Sequence, residues 1–98
     1  MRWYILLLVL TGCTRPQPQQ HTIVIEHMQF TPASLTVHKG DQVTFLNKDL
    51  VVHNVKAVSD ETWVDSLQTG TSFTMTASKS SDYFCSLHPV MKGKIEVN

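Results

Sequence analysis

From about residue 20 onward, apolar residues recur at every second position rather than at helical spacing. Ile23 and Ile25 alternate with Thr22, Val24 and Glu26, and Val43 and Phe45 alternate with Gln42, Thr44 and Leu46. A period of two puts one set of side chains on each face of an extended strand. Short runs rich in Val, Thr, Phe and Tyr at 35–38, 53–58, 71–77, 82–85 and 94–97 read the same way. Turn chemistry separates them: Thr31-Pro32, Lys39-Gly40-Asp41, Asn47-Lys48-Asp49 and Thr69-Gly70-Thr71. Seven or eight strands this short predict an all-β chain folded as a two-sheet antiparallel β-sandwich. Segment 59–68 stays open between a strand through Trp63 and Val64 and a short helix.

The first residues break this pattern. Arg2 precedes an unbroken apolar run from Ile5 to Leu10, the layout of an export signal and too short to cross about 30 Å of hydrocarbon as a helix. The run ends in Leu10-Thr11-Gly12-Cys13, which resembles the bacterial lipobox. Residues 1–12 are therefore predicted to be a lipoprotein signal peptide, and Cys13 the acylated first residue of the mature chain. Residues 13–20 are polar and rich in Pro and Gln, a tether reaching on the order of 20 Å. The folded domain is expected at 21–98, held on the periplasmic side of a bacterial envelope and touching the membrane through its lipid only.

Ninety-eight residues leave room for one domain. Lys and Arg total 8 and Asp and Glu total 8, for a formal charge of zero. That balance lacks the basic footprint by which nucleic-acid phosphates are neutralised, so no nucleic-acid partner is expected. The two cysteines, Cys13 and Cys85, lie in such different contexts that no disulfide is expected between them.

Candidate chemistry gathers near the C-terminus, where Cys85, His88 and Met91 follow one another at every third position. One compact loop after a strand could aim thiol, imidazole and thioether at a common point. His53 follows a loop and opens an apolar run, which places it at the same end of a sandwich. Two histidines, one cysteine and a weakly held methionine are the ligand set of blue-copper electron-transfer sites. Structural zinc takes Cys and His without thioether, so copper is the expected metal. Taken singly, each residue has a plainer reading: Cys85 as core, His88 as a turn, Met91 as a gap-filler, His53 as a strand histidine.

These residues carry a family resemblance. Cys85-Ser86-Leu87-His88-Pro89-Val90-Met91 resembles the short ligand loop of the amicyanin branch of the cupredoxins, and Asn47 through Val55 resembles the loop before that family's first histidine ligand. Phe30-Thr31-Pro32 and Lys39 through Phe45 also match, so the resemblance spans about Ile23 to Val97. It implies a Greek-key sandwich, a single type 1 copper held by His53, Cys85, His88 and Met91, and a backbone N–H of Asn54 reaching the thiolate. It also implies an exposed edge of His88 ringed by Leu50, Val51, Val52, Leu87, Pro89 and Val90, where redox proteins dock transiently on a monomer. Leu87 and Val52 stand where amicyanins have proline, changes expected to loosen the loops and alter hydrogen bonding at the sulfur. The implied function is a one-electron carrier rather than an enzyme, with copper storage or delivery as the alternative. Tyr83 is expected in the core, and His21, His27 and His38 at exposed polar positions.

Overall fold

The computed structural model describes residues 17–98; the expected signal peptide and Cys13 lie outside the described residues. Nine strands follow in order: β1 (Gln20–Glu26), β2 (Gln29–Thr31), β3 (Ser34–Val37), β4 (Gln42–Asn47), β5 (His53–Ala57), β6 (Thr62–Leu67), β7 (Ser72–Thr76), β8 (Ser81–Phe84) and β9 (Lys92–Val97). They form a four-stranded sheet, β2-β1-β4-β7, and a five-stranded sheet, β3-β9-β8-β5-β6. The expected all-β two-sheet sandwich is what the chain adopts.

Its sheets are mixed rather than wholly antiparallel: β1 pairs with β4, and β3 with β9, in parallel. The reason is topological. After β2 the chain leaves for the edge of the second sheet as β3, then returns as β4 pointing the same way as β1. The strand count exceeds the expected seven or eight because β2 and β6 carry weak sequence signals. The β1–β2 hairpin turns at His27 and Met28, both at φ 57°, without the glycine or asparagine that usually marks such a turn. The undecided segment 59–68 is resolved as β6. Its register against β5 shifts between His53 and Val55 and again between Val55 and Lys56, so Trp63 and Val64 are both half-buried and the alternation is lost.

Inward-facing Ile23, Ile25, Val43, Phe45, Val55, Tyr83 and Ile95 build one core between the sheets. Tyr83 is its centre, with ring centroids 4.8 Å from Phe30, 5.4 Å from Phe45 and 5.6 Å from Trp63. Its ring lies over Gly93, its cross-strand partner on β9; a Cβ there would sit 2.3 Å from the phenol. Gly93→Ala should therefore cost about 1–3 kcal/mol by overpacking, measured by urea denaturation, whereas Gly70→Ala, with open space around its Cβ position, should owe any loss to its positive φ of 81° alone.

At the pole where β1 begins, Asp41 is a hub. Its carboxylate accepts the backbone N–H of Gln19 at 2.9 Å and of His38 at 3.0 Å, and lies 2.9 Å from Nε2 of His21. His27 and His38 are exposed as expected, but His21 is half-buried against this carboxylate. The Gln19 N–H, the His21 imidazole and the His38 N–H together lower the Asp41 pKa from 3.8 to about 2. A carboxyl depressed in the folded state contributes stability above its unfolded value that is lost as pH falls through the folded one. Asp41→Asn should flatten the acid limb of the stability curve between about pH 4 and 2, read by denaturant midpoints at stepped pH; an unchanged limb would refute the assignment.

Candidate metal centre

At the pole opposite Asp41, two loops face each other: residues 48–52 join β4 to β5, and residues 85–91 join β8 to β9. The second loop is built from two linked turns. Cys85 O accepts from His88 N at 3.1 Å, and His88 O accepts from Met91 N at 2.9 Å. Each turn advances three residues, so the three-residue spacing of Cys85, His88 and Met91 is the repeat of the backbone itself. Cys85 N donates to Met91 O at 3.1 Å and closes the loop at its base.

The first loop is fixed by Asn47, fully buried at the end of β4. Its Nδ2 donates to Val51 O at 2.9 Å and Leu67 O at 2.8 Å, and its Oδ1 accepts from Asp49 N at 2.8 Å. Asn54 joins the two loops: its Oδ1 accepts from Ser86 N at 2.8 Å and its Nδ2 donates to Ser86 Oγ at 2.9 Å. The Asn54 backbone N–H points at Cys85 Sγ, 3.4 Å away.

Within this frame the Cys85 sulfur, fully buried and unpaired as a disulfide, lies 3.6 Å from Nδ1 of His53 and 3.9 Å from Nδ1 of His88. The three donor atoms lie within 4.8 Å of one another. Bonds of about 2.0 Å to imidazole nitrogen and 2.3 Å to thiolate, opened to a trigonal angle, would separate N and S by about 3.7 Å. The spacing therefore fits one metal ion shared by all three. Met91 is buried at the end of the same loop. Among the described residues, no other group of three or more His, Cys, Asp or Glu side chains meets the geometry of a metal site.

The far side of His53 carries a residue that the sequence reading passed over. Nε2 of His53 lies 2.8 Å from Oδ2 of Asp49; a carboxylate can only accept, so the ring donates from Nε2 and presents Nδ1 to the sulfur. Asp49 also accepts the backbone N–H groups of His27 at 2.8 Å and Met28 at 3.1 Å, from the β1–β2 turn. Burial acts to raise its pKa, but the hydrogen bond from His53 and the two backbone donors outweigh it, and the carboxyl sits below its ordinary value. An acid four residues before the histidine, inside a tight loop, was the only available signal.

The sequence from 19 to 98 matches the family of copper binding proteins typified by plastocyanin and azurin. The chain belongs to that family. As a cupredoxin it takes copper, and His53, Cys85 and His88 lie close enough to form a type 1 site. Among similar proteins, amicyanin from Paracoccus denitrificans is 32% identical over 80 residues, covering 74% of this chain and 61% of that protein. This cupredoxin thus spans about 61% of the length of the curated relatives it matches. The crystal structure of amicyanin from Paracoccus versutus superposes with a TM-score of 0.72 at 28% identity, covering 81% of each chain. A purple cupredoxin from Nitrosopumilus maritimus gives 0.69 at 26% identity, covering 80% of this chain and 99% of the other.

Asp49→Ala in this cupredoxin should lower copper affinity about 10- to 100-fold, because His53 loses the partner that fixes its tautomer and ring orientation. Asp49→Asn, which keeps the shape and removes the negative charge, should raise the reduction potential. Chelator competition and protein-film voltammetry measure the two effects.

Proposed function

We propose that this protein is a one-electron carrier of the cell envelope, in which His53, Cys85 and His88 would hold the copper and the Met91 thioether would serve as a further, weak ligand. Bound there, copper supplies a Cu(I)/Cu(II) couple. The observation that carries the reading is the convergence of one buried thiol and two imidazole Nδ1 atoms at 3.6 and 3.9 Å. Both ligand loops are cross-braced by Asn54 and Ser86. Such a frame keeps the donors in place when the metal changes charge, and small rearrangement is what fast electron transfer needs. Burial of Cys85 and Met91 argues for retention of the metal and against a copper-delivery role, which needs an exchangeable site.

His88 is the half-exposed member of the set. The residues around it in sequence and on the facing loop are exposed and apolar: Leu50 is 92% exposed, Val90 85%, Leu87 51% and Val51 44%. Pro89 is also exposed and Val52 half-buried. An uncharged apolar surface at a ligand edge suits brief docking of a redox protein in a small interface. The Cys13 lipid and the tether belong to the same proposal. β1 starts beside Asp41, at the pole away from the metal centre, so a chain anchored through its N-terminus holds the docking surface away from the membrane.

The copper-loaded protein should show an intense thiolate-to-copper band in the red part of the visible spectrum and a narrow copper hyperfine splitting by EPR. Cys85→Ser should abolish the band, and Met91→Leu should keep it while shifting the potential. A colourless Cu(II) form of the wild-type chain would defeat the carrier reading.

A further inference from the structure

At the metal pole His53 and Cys85 are fully buried and Met91 is 2% exposed, so an ion bound there has to enter a frame already closed around its place. The half-exposed His88 marks one approach. Around it Leu50, Val51, Leu87, Pro89 and Val90 offer no side-chain donor to an ion in transit.

A second approach lies on the flank of the centre. A cleft of about 310 Å³ is lined by Met28, Phe30, Ala33, Val90, Met91 and Lys92, among others. Met28 belongs to the β1–β2 turn, and Val90 and Met91 to the loop that follows β8. Two methionines thus border one space, Met91 buried and Met28 38% exposed. Phe30, Ala33 and Val90 between them carry no polar side chain that would compete for an ion, and Lys92, the charged residue of the lining, is exposed. Met28 takes no part in the core between the sheets, so packing does not account for a methionine at this place. Its backbone is nonetheless fixed relative to the centre: the Met28 N–H donates to Oδ2 of Asp49 at 3.1 Å, and the same oxygen lies 2.8 Å from Nε2 of His53. A flexible thioether on a braced turn is a soft donor with reach.

We propose that Met28 is the receiving ligand of a Cu(I) entry port: its thioether would take a cuprous ion at the mouth of the cleft and pass it along the lining to Met91, and so to Cys85, His53 and His88. Thioether sulfur favours Cu(I) over harder cations, so the port selects the oxidation state that it admits. Transfer is ligand exchange and moves no electron. The bond from copper to the Met28 sulfur breaks as bonds to the donors of the centre form, and the Cys85 thiol gives its proton to solvent on becoming the thiolate ligand. The port rests on the copper site of the carrier reading and not on the redox partners of the carrier.

Loading of the metal-free full chain tests it. Cu(I) is supplied as its coloured complex with bicinchoninate, and the fading of that colour gives the rate of transfer. Met28→Leu, which conserves volume and hydrophobicity, should slow transfer about 10-fold by removing the receiving donor. Met75→Leu, on β7 at the far edge of the sheet that begins with β2, should leave the rate as it is. Because Met28 is not a ligand of the finished site, withdrawal of Cu(I) by excess bicinchoninate should slow by the same factor in Met28→Leu, with Cu(I) affinity unchanged. Loading with Cu(II) ions should run equally fast in the wild-type chain and in Met28→Leu. Unaltered Cu(I) transfer in Met28→Leu, an equal slowing for Cu(II), or a loss of affinity instead of matched entry and exit rates overturns the port. None of these results touches the carrier reading, which fails separately if the loaded wild-type chain has no blue band.

Discussion

The position of the Cys85 sulfur depends on β5 and β8 lying side by side. Register between them pairs Lys56 with Phe84 and Ala57 with Tyr83, and from that pairing the end of β8 is carried up to the start of β5. Only then can the Asn54 N–H reach the sulfur and the Asn54 side chain grip Ser86. A slip of one residue would turn every side chain of β8 to the opposite face and send the thiol outward. Tyr83 guards against that slip: its ring fills the space over Gly93 that no other residue leaves open, so the aromatic core and the metal centre are set by the same strand.

Asp49 extends the constraint to the other sheet. Through His27 and Met28 it is tied to the β1–β2 turn, and through His53 to the metal centre. The histidine ring is held from behind by a carboxylate that belongs to neither flanking strand. An imidazole held by a carboxylate at Nε2, with Nδ1 facing Cys85, would have little freedom to swing if copper were bound there. The His88 ring has no such tie among the described residues, and it is also the one nearer solvent.

Much of this was legible in the residues. Alternation at Ile23, Ile25, Val43 and Phe45 marked strands, and the three-residue spacing after Phe84 marked a loop whose turns repeat with the same step and bring Cys85 and His88 to His53. Features with no local signature were not legible. A hairpin turning on His27 and Met28 lacks glycine or asparagine, and the register shifts between β5 and β6 erase the alternation around Trp63. Parallel pairing of β1 with β4 follows from where β3 crosses over, which no single segment encodes. Asp49 reads as an ordinary loop acid until the fold brings it behind His53.

The central claim is that the folded chain sets the donor geometry before any metal arrives. High-resolution crystal structures of the metal-free, Cu(I) and Cu(II) forms test it most directly. The account predicts that the His53 and His88 rings and the Cys85 sulfur keep the same places in all three, with the Nδ1-to-sulfur separations near those seen here. An imidazole of His53 swung away from Asp49 in the metal-free protein, returning only with copper, would contradict it.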